Sequence, residues 1–140
     1  MSENENQQPK EDRSPGVFSW RELLTNDPAA SKKFYGELFG WRAQEMDVGP
    51  TKYTFFSIGE RPVAGLLTIT PEMGEVPPNW LSYVTVENIA AAVEKARALG
   101  AHICKDITEL PMGKFAVLTD PQGAGIALWE FAKQGCECAD

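Results

Sequence analysis

The chain has 140 residues, 43% of them apolar and 24% charged, with a formal net charge of -7. That length suits one compact domain and is too short for two; a domain of this size buries roughly two-thirds of the surface its unfolded chain exposes, so it can hold a core without staples. The acidic balance argues against a nucleic-acid face and an anionic membrane surface, and no apolar run reaches the roughly 20 residues of a membrane span.

The opening, MSENENQQPKEDRSPG, has no large apolar residue after Met1 and no signal-peptide core. Residues 1–15 are expected to form a disordered tail, residues 16–132 the domain, and residues 133–140 a second, flexible tail. A cytoplasmic location is expected, and Cys104, Cys136 and Cys138 agree with a reducing compartment. Cys136 and Cys138 form a C-x-C pair, but two thiolates alone do not close a metal site.

The domain opens with a predicted strand over Val17 to Thr25. Asn26 and Asp27 before Pro28 mark a helix start, and Gly40 marks its end. Ala30, Phe34, Leu38 and Trp41 fall on one stripe, the expected packing face. Three strands follow: Trp41 to Met46, Lys52 to Ile58 and Pro62 to Ile69, the last two joined at Gly59 to Pro62. The order then repeats. A strand over Trp80 to Val86 leads to a helix capped by Asn88, striped by Ile89, Val93, Ala96 and Leu99, and stopped at Gly100. Strands over His102 to Ile107, Lys114 to Thr119 and Ile126 to Phe131 follow, with a turn at Asp120 to Gly123.

The halves, about 17–70 and 79–131, align at a shift of 60 that pairs Trp20 with Trp80, Gly40 with Gly100, Phe55 with Phe115 and Gly65 with Gly125. Each reads β-α-β-β-β. A four-stranded sheet with a helix on one face leaves its other face open. Two such sheets can curl round one cleft, which predicts an α+β domain with a pocket between the repeats.

The segment Asp27 followed by AASKKFYGELFGW resembles the first repeat of the vicinal-oxygen-chelate superfamily of glyoxalases, dioxygenases and bleomycin-resistance proteins. DPQG, Asp120 to Gly123, is similar to that family's D-P-x-G turn. The resemblance covers residues 17–131 and implies the paired β-α-β-β-β fold. It says little about activity, because the fold hosts isomerases, dioxygenases, thiol transferases and antibiotic binders.

In metal-using members the resemblance implies a divalent ion that binds vicinal substrate oxygens, held by His, Glu or Gln from the opening and closing strand of each repeat. Carried over by position, those places hold Trp20, Leu67, Leu81 and Ala127. None suits a hard or borderline metal, so neither metal nor cofactor is expected. His102 is the lone histidine and is expected to face solvent at a sheet edge. Glu130 should point away from the face of Ala127. Glu22 shares the face of Trp20, either as a base or hydrogen-bond acceptor in the pocket or as a salt-bridge partner of Arg21, Lys52 or Arg61.

The expected ligand-binding residues are Trp20, Glu22, Tyr53, Phe55, Leu67, Leu81, Tyr83, Phe115, Ala127 and Trp129, with the faces of Tyr53, Phe55 and Phe115 left open. An aromatic cleft with one carboxylate suits a flat or cationic organic molecule. The leading expectation is a metal-free small-molecule-binding protein, a homodimer, that binds an aromatic or cationic ligand. The alternative is a metal-dependent lyase, isomerase or dioxygenase of the glyoxalase type with atypical ligands. A third reading is a domain with a filled cleft that serves protein–protein contact. The homodimer rests on the family's habit of pairing modules and on the aromatic strand Tyr53 to Phe56, whose faces would otherwise lie partly exposed.

Overall fold

The computed structural model describes residues 12–48 and 51–133. The expected tails lie outside the described residues at 1–11 and 134–140, and Cys136 and Cys138 with them.

Strand β1 (Phe18–Thr25) leads into helix α1 (Pro28–Phe39), then β2 (Arg42–Val48), β3 (Thr51–Ile58) and β4 (Arg61–Thr68). A single 3-10 turn, Pro71–Met73, links to β5 (Asn79–Thr85), helix α2 (Ile89–Ala98), β6 (His102–Leu110), β7 (Gly113–Thr119) and β8 (Gly125–Phe131). The two β-α-β-β-β halves are those the sequence predicts. Local chemistry sets the helix ends. Asp27 Oδ1 accepts from the Ala30 N–H at 3.1 Å, and Asn88 Oδ1 from the Ala91 N–H at 3.0 Å. Helix α1 stops at Gly40, whose φ of 78° lies in the left-handed region that glycine enters without cost.

All eight strands join in one sheet, in the order β2-β3-β4-β1-β5-β8-β7-β6. Within each half the first and last strands run parallel, β1 beside β4 and β5 beside β8. The halves meet where β1 and β5 pair antiparallel. The sheet curls into a half-barrel with the helices outside, so its concave face forms a cleft. No helix among the described residues is long and apolar enough to cross a membrane.

The core has an outer and an inner layer. Outside, α2 sets Ile89 and Val93 against Ala116, with Ile103 and Leu128 around them. Burying each of those two side chains stabilises the fold by roughly 2 kcal/mol. Under α1 lie Leu23, Phe56, Ala64 and Leu66. Inside the curl, Leu24, Leu81, Tyr83, Phe115 and Ala127 pack together.

Two expectations fail at the helices. The stripe Phe34–Leu38 of α1 faces outward, each residue 57% exposed, and α1 buries no residue fully. The helix instead presents Ser31 and Tyr35 to the sheet. Ser31 Oγ donates to Thr25 Oγ1 at 2.8 Å, and the Tyr35 ring sits 5.9 Å from Trp41 and 6.1 Å from Phe56. Of the expected stripe only Trp41 packs inward, and Tyr35 of the helix joins it against Phe56 in the place that Phe34 and Leu38 were expected to fill. Leu99 is also exposed, at 68%, because α2 ends at Ala98 and the chain turns away at Gly100.

Candidate functional site

Strand alternation divides β1 between the layers. Leu23 packs outward, while Trp20, Glu22 and Leu24 face the cleft. Register then brings distant residues side by side: Trp20 next to Tyr83, Glu22 between Leu81 and Gly65, Tyr83 next to Ala127, and Phe115 next to Trp129.

The cleft holds a cavity of about 670 Å³. Eight residues of the expected set line it: Trp20, Glu22, Tyr53, Phe55, Leu67, Tyr83, Phe115 and Trp129. The open faces of Tyr53, Phe55 and Phe115 are thereby fixed. Leu81 and Ala127, only 3% and 0% exposed, belong to the packed layer beneath and not to the cavity wall. The rings are arranged in pairs. Tyr53 and Phe55 stack at 6.5 Å, Trp129 meets Phe131 edge-on at 5.8 Å, and Tyr83 lies tilted against Phe115 at 6.3 Å.

One polar chain crosses this apolar wall. The Trp20 indole Nε1 donates to the Tyr53 hydroxyl at 3.0 Å, and that hydroxyl donates to Glu22 Oε2 at 2.8 Å. Tyr83 donates to Glu22 Oε1. An indole N–H can only donate, so the Tyr53 oxygen must accept and pass its own hydrogen to Glu22. The chain therefore ends on the carboxylate. Burial raises the Glu22 pKa above the ordinary carboxylate value, and the Tyr83 and Tyr53 hydrogen bonds partly offset that rise. Burial, reinforced by the Glu22 charge, pushes both tyrosine hydroxyls above their usual range, so they remain donors. The salt-bridge alternative for Glu22 is replaced: its partners are two tyrosines, not Arg21, Lys52 or Arg61. Arg21 bonds the Val63 carbonyl at 2.9 Å, and Lys52 pairs with Asp47 at 3.6 Å.

Sequence reasoning missed three features. A Cβ on Gly65 would collide with the Tyr53 hydroxyl and lie 2.6 Å from Glu22 Oε2, so this glycine makes room for the hydrogen bond between them. Gly113 does the same for Trp129, whose ring carbon Cζ2 would lie 2.5 Å from an added Cβ. A glycine inside a strand can signal such a close approach. The third feature is charge at the mouth. Arg13, Lys52 and Lys133 line the cavity and are exposed. Arg13 lay in the expected tail, yet its guanidinium sits 4.2 Å above the Phe131 ring. The Gly16 N–H to Thr85 carbonyl bond, 2.8 Å long, holds that segment on the domain.

His102 is exposed on β6, an edge strand. Glu130 points to the convex side, where its Oε1 accepts from the Ile89 N–H at 2.8 Å at the start of α2. The positions where the family resemblance implies metal ligands turn to the concave side and hold Trp20, Leu67, Leu81 and Ala127. An indole N–H, two leucines and an alanine offer no lone pair to an ion. Among the described residues no three His, Cys, Asp or Glu side chains gather in a group that could hold a metal ion. These residues do not fit a divalent ion.

The family model of the Glyoxalase/Bleomycin resistance protein/Dioxygenase superfamily matches residues 18–128. A Mycobacterium tuberculosis protein named as a glyoxylase, CFP32, is 32% identical over 119 residues, which cover 82% of this chain and 46% of that protein. DnrV, an anthracycline biosynthesis protein of Streptomyces peucetius, is also 32% identical over 119 residues, covering 83% of this chain and 42% of DnrV. The chain thus spans about half the length of these curated relatives. Methylmalonyl-CoA epimerase of Mycobacterium tuberculosis superposes with a TM-score of 0.55 at 10% identity, over 89% of this chain and 95% of that one. That last likeness is one of fold.

Proposed function

Since the chain belongs to the glyoxalase/bleomycin-resistance/dioxygenase superfamily but shows no donor set for the family's metal among its described residues, we propose that it is a metal-free binding protein for a flat organic ligand. The observation that carries this reading is the ring-walled cavity of about 670 Å³ crossed by one carboxylate that two tyrosines hold. Its size suits a drug-sized molecule, and its few polar groups suit orientation of that molecule rather than capture of an ion. The named role of DnrV in anthracycline biosynthesis, a chemistry of fused aromatic rings, is consistent with a flat aromatic ligand. Glu22, Trp20, Tyr53, Phe55, Leu67, Tyr83, Phe115 and Trp129 are the proposed contact residues, over a floor of Leu81 and Ala127.

The test is a thermal-shift panel of naphthalene- and anthraquinone-sized compounds, neutral and cationic, run with and without EDTA. A ligand that binds only the native state must raise the melting temperature. Binding that survives EDTA, and that Trp129→Ala weakens by about 1 kcal/mol, roughly five-fold in Kd, is expected from the lost ring contact. Stoichiometric metal in the purified protein, lost in Glu22→Gln, would instead place it with the metal-dependent lyases, isomerases or dioxygenases.

The same reading includes a cytoplasmic homodimer. Strand Tyr53 to Phe56 offers no exposed face to a second copy, because Phe56 is 1% exposed and Tyr53 and Phe55 line the cavity. Better support comes from Phe34, Leu38 and Phe39 of α1 with Trp80, each at least 41% exposed. Trp80 reaches that helix through its Nε1 bond to the Tyr35 hydroxyl at 3.2 Å. Light scattering at micromolar concentration is expected to give twice the 15.4 kDa chain mass, and Phe34→Glu with Leu38→Glu to return it to a monomer.

A further inference from the structure

Hydrogen bonds at the inner end of the cavity all point one way. The Trp20 indole donates to Tyr53, Tyr53 donates to Glu22 Oε2 at 2.8 Å, and Tyr83 donates to Glu22 Oε1. An indole N–H and a phenol O–H each carry one hydrogen, so all three are spent. Glu22 is 4% exposed, and among the described residues it is the one acid that lines the cavity. Its register neighbours, Leu81 and Gly65, have no polar side chain. The Ser19 hydroxyl also belongs to the wall but stands three residues back along β1, roughly 10 Å of strand. Among the described residues the inner end therefore offers acceptors and no side-chain donor. A carboxylate has about four lone-pair sites, and the tyrosines fill two of them. Water can fill the rest in an open cavity. A flat ligand that expels this water must supply a donor or leave a buried carboxylate short of one.

We propose, resting on the reading of this cleft as a ligand site, that the ligand is a neutral aromatic hydroxyl compound, a phenol or naphthol in class. Its O–H replaces water as the third donor to Glu22, and its rings lie against the aromatic wall.

Other groups fit this end less well. A ligand carboxylate would stand beside Glu22 as a second anion. An ether or ketone would set its lone pairs against those of the carboxylate, with no hydrogen between them. An ammonium would have to shed its water at a depth where one ion pair need not offset that cost. A phenol is easier to dehydrate than an ion and keeps the flat ring that the walls accept. It also makes the same charge-assisted bond that the two tyrosines already make.

Calorimetric titration of the protein with four probes tests this: 2-naphthol, 2-methoxynaphthalene, 2-naphthoate and 2-naphthylmethylammonium. The naphthol is expected to bind about ten-fold tighter than the methyl ether, which has the same rings and no donor, and tighter than both charged probes. Tyr83→Phe removes one donor from Glu22 and should widen the gap between naphthol and ether, whereas a loss of packing alone would weaken both alike. Glu22→Gln puts an amide donor in place of a carboxylate oxygen and should close the gap. Ether or naphthoate binding as tightly as naphthol would overturn the donor requirement while leaving an aromatic-binding cleft in place. Tightest binding by the ammonium would overturn the neutral hydroxyl in the same way. Failure of all four probes to bind would overturn the ligand site itself.

Discussion

Gly65→Ala is expected to lower the melting temperature by about 10 °C and to abolish binding of any cavity ligand. Gly65 does not have a left-handed backbone, so the cost does not come from strain in φ. It comes from contact. The added Cβ would overlap the Tyr53 hydroxyl, lie 2.8 Å from Tyr53 Cζ and lie 2.6 Å from Glu22 Oε2. Neither neighbour can yield easily, since Glu22 is buried and Tyr53 is tied to Trp20 and Glu22. Overpacking costs about 1–3 kcal/mol, and a buried carboxylate that loses a donor adds about as much. A sum of about 3 kcal/mol corresponds to roughly ten degrees for a domain of this size. Denaturant melts of Gly65→Ala, Tyr53→Ala and the double variant check the mechanism. If the clash is the cause, the double variant must be far less destabilised than the sum of the singles. Additive losses would mean that Gly65 serves some purpose other than seating Tyr53.

Glu22→Gln is expected to change how stability depends on pH. The Glu22 pKa is raised in the folded state above its ordinary 4.5, chiefly by burial. Between 4.5 and the folded value the native state therefore binds more protons than the unfolded state, and stability falls as pH rises through that window. Below 4.5 the penalty is absent; above the folded value it is complete. Asp12 and Asp120 carry the opposite sign, because hydrogen bonds to Ser14 and to the Ala124 amide, respectively, hold their carboxyls below the ordinary value. Both remain in the variant, so they cancel in a comparison. The unfolding free energy of Glu22→Gln minus that of the wild type should climb from pH 4.5 upward, with a slope of at most about 1.4 kcal/mol per pH unit. A difference that stays flat from pH 4 to 8 would show that Glu22 titrates normally and is not the buried end of the hydrogen-bond chain. The measurement also bears on ligand recognition, since a donor group that binds the ionised carboxylate would lose affinity as Glu22 takes up a proton.

The fold was legible because its signals are local and occur twice. Asp27 and Asn88 cap helices through an amide three residues on, a distance that sequence fixes. Gly40 and Gly100 end them because each takes the positive φ, 78° and 103°, that the chain needs there. Two-residue alternation in β1 and β8 already separates Trp20 and Glu22 from Leu23, and Ala127 and Trp129 from Glu130. The helix stripe over Phe34 and Leu38 misled for a physical reason. An apolar stripe says which side of a helix can be buried, but packing against the sheet decides which residues are, and here Tyr35 of the helix meets Trp41, Phe56 and Trp80 and leaves Phe34 and Leu38 outside.

By itself, the sequence determined the two repeats, their strands and helices, the concave placement of Trp20, Glu22, Leu67, Tyr83 and Trp129, and the residue types at the four family positions. These follow from spacing within a strand or a turn. Only the tertiary structure decided that Glu22 meets Tyr53 and Tyr83 rather than a cation, that Gly65 exists to seat that contact, and that Arg13 joins the mouth of the cavity. Glu22 lies 31 residues from Tyr53 and 61 from Tyr83 in the chain, and they meet only because β1 pairs with β5 on one side and, on the other, with β4, beyond which β3 carries Tyr53 on the curled sheet. Contacts of that kind depend on strand order and curvature, which no local pattern of residues encodes.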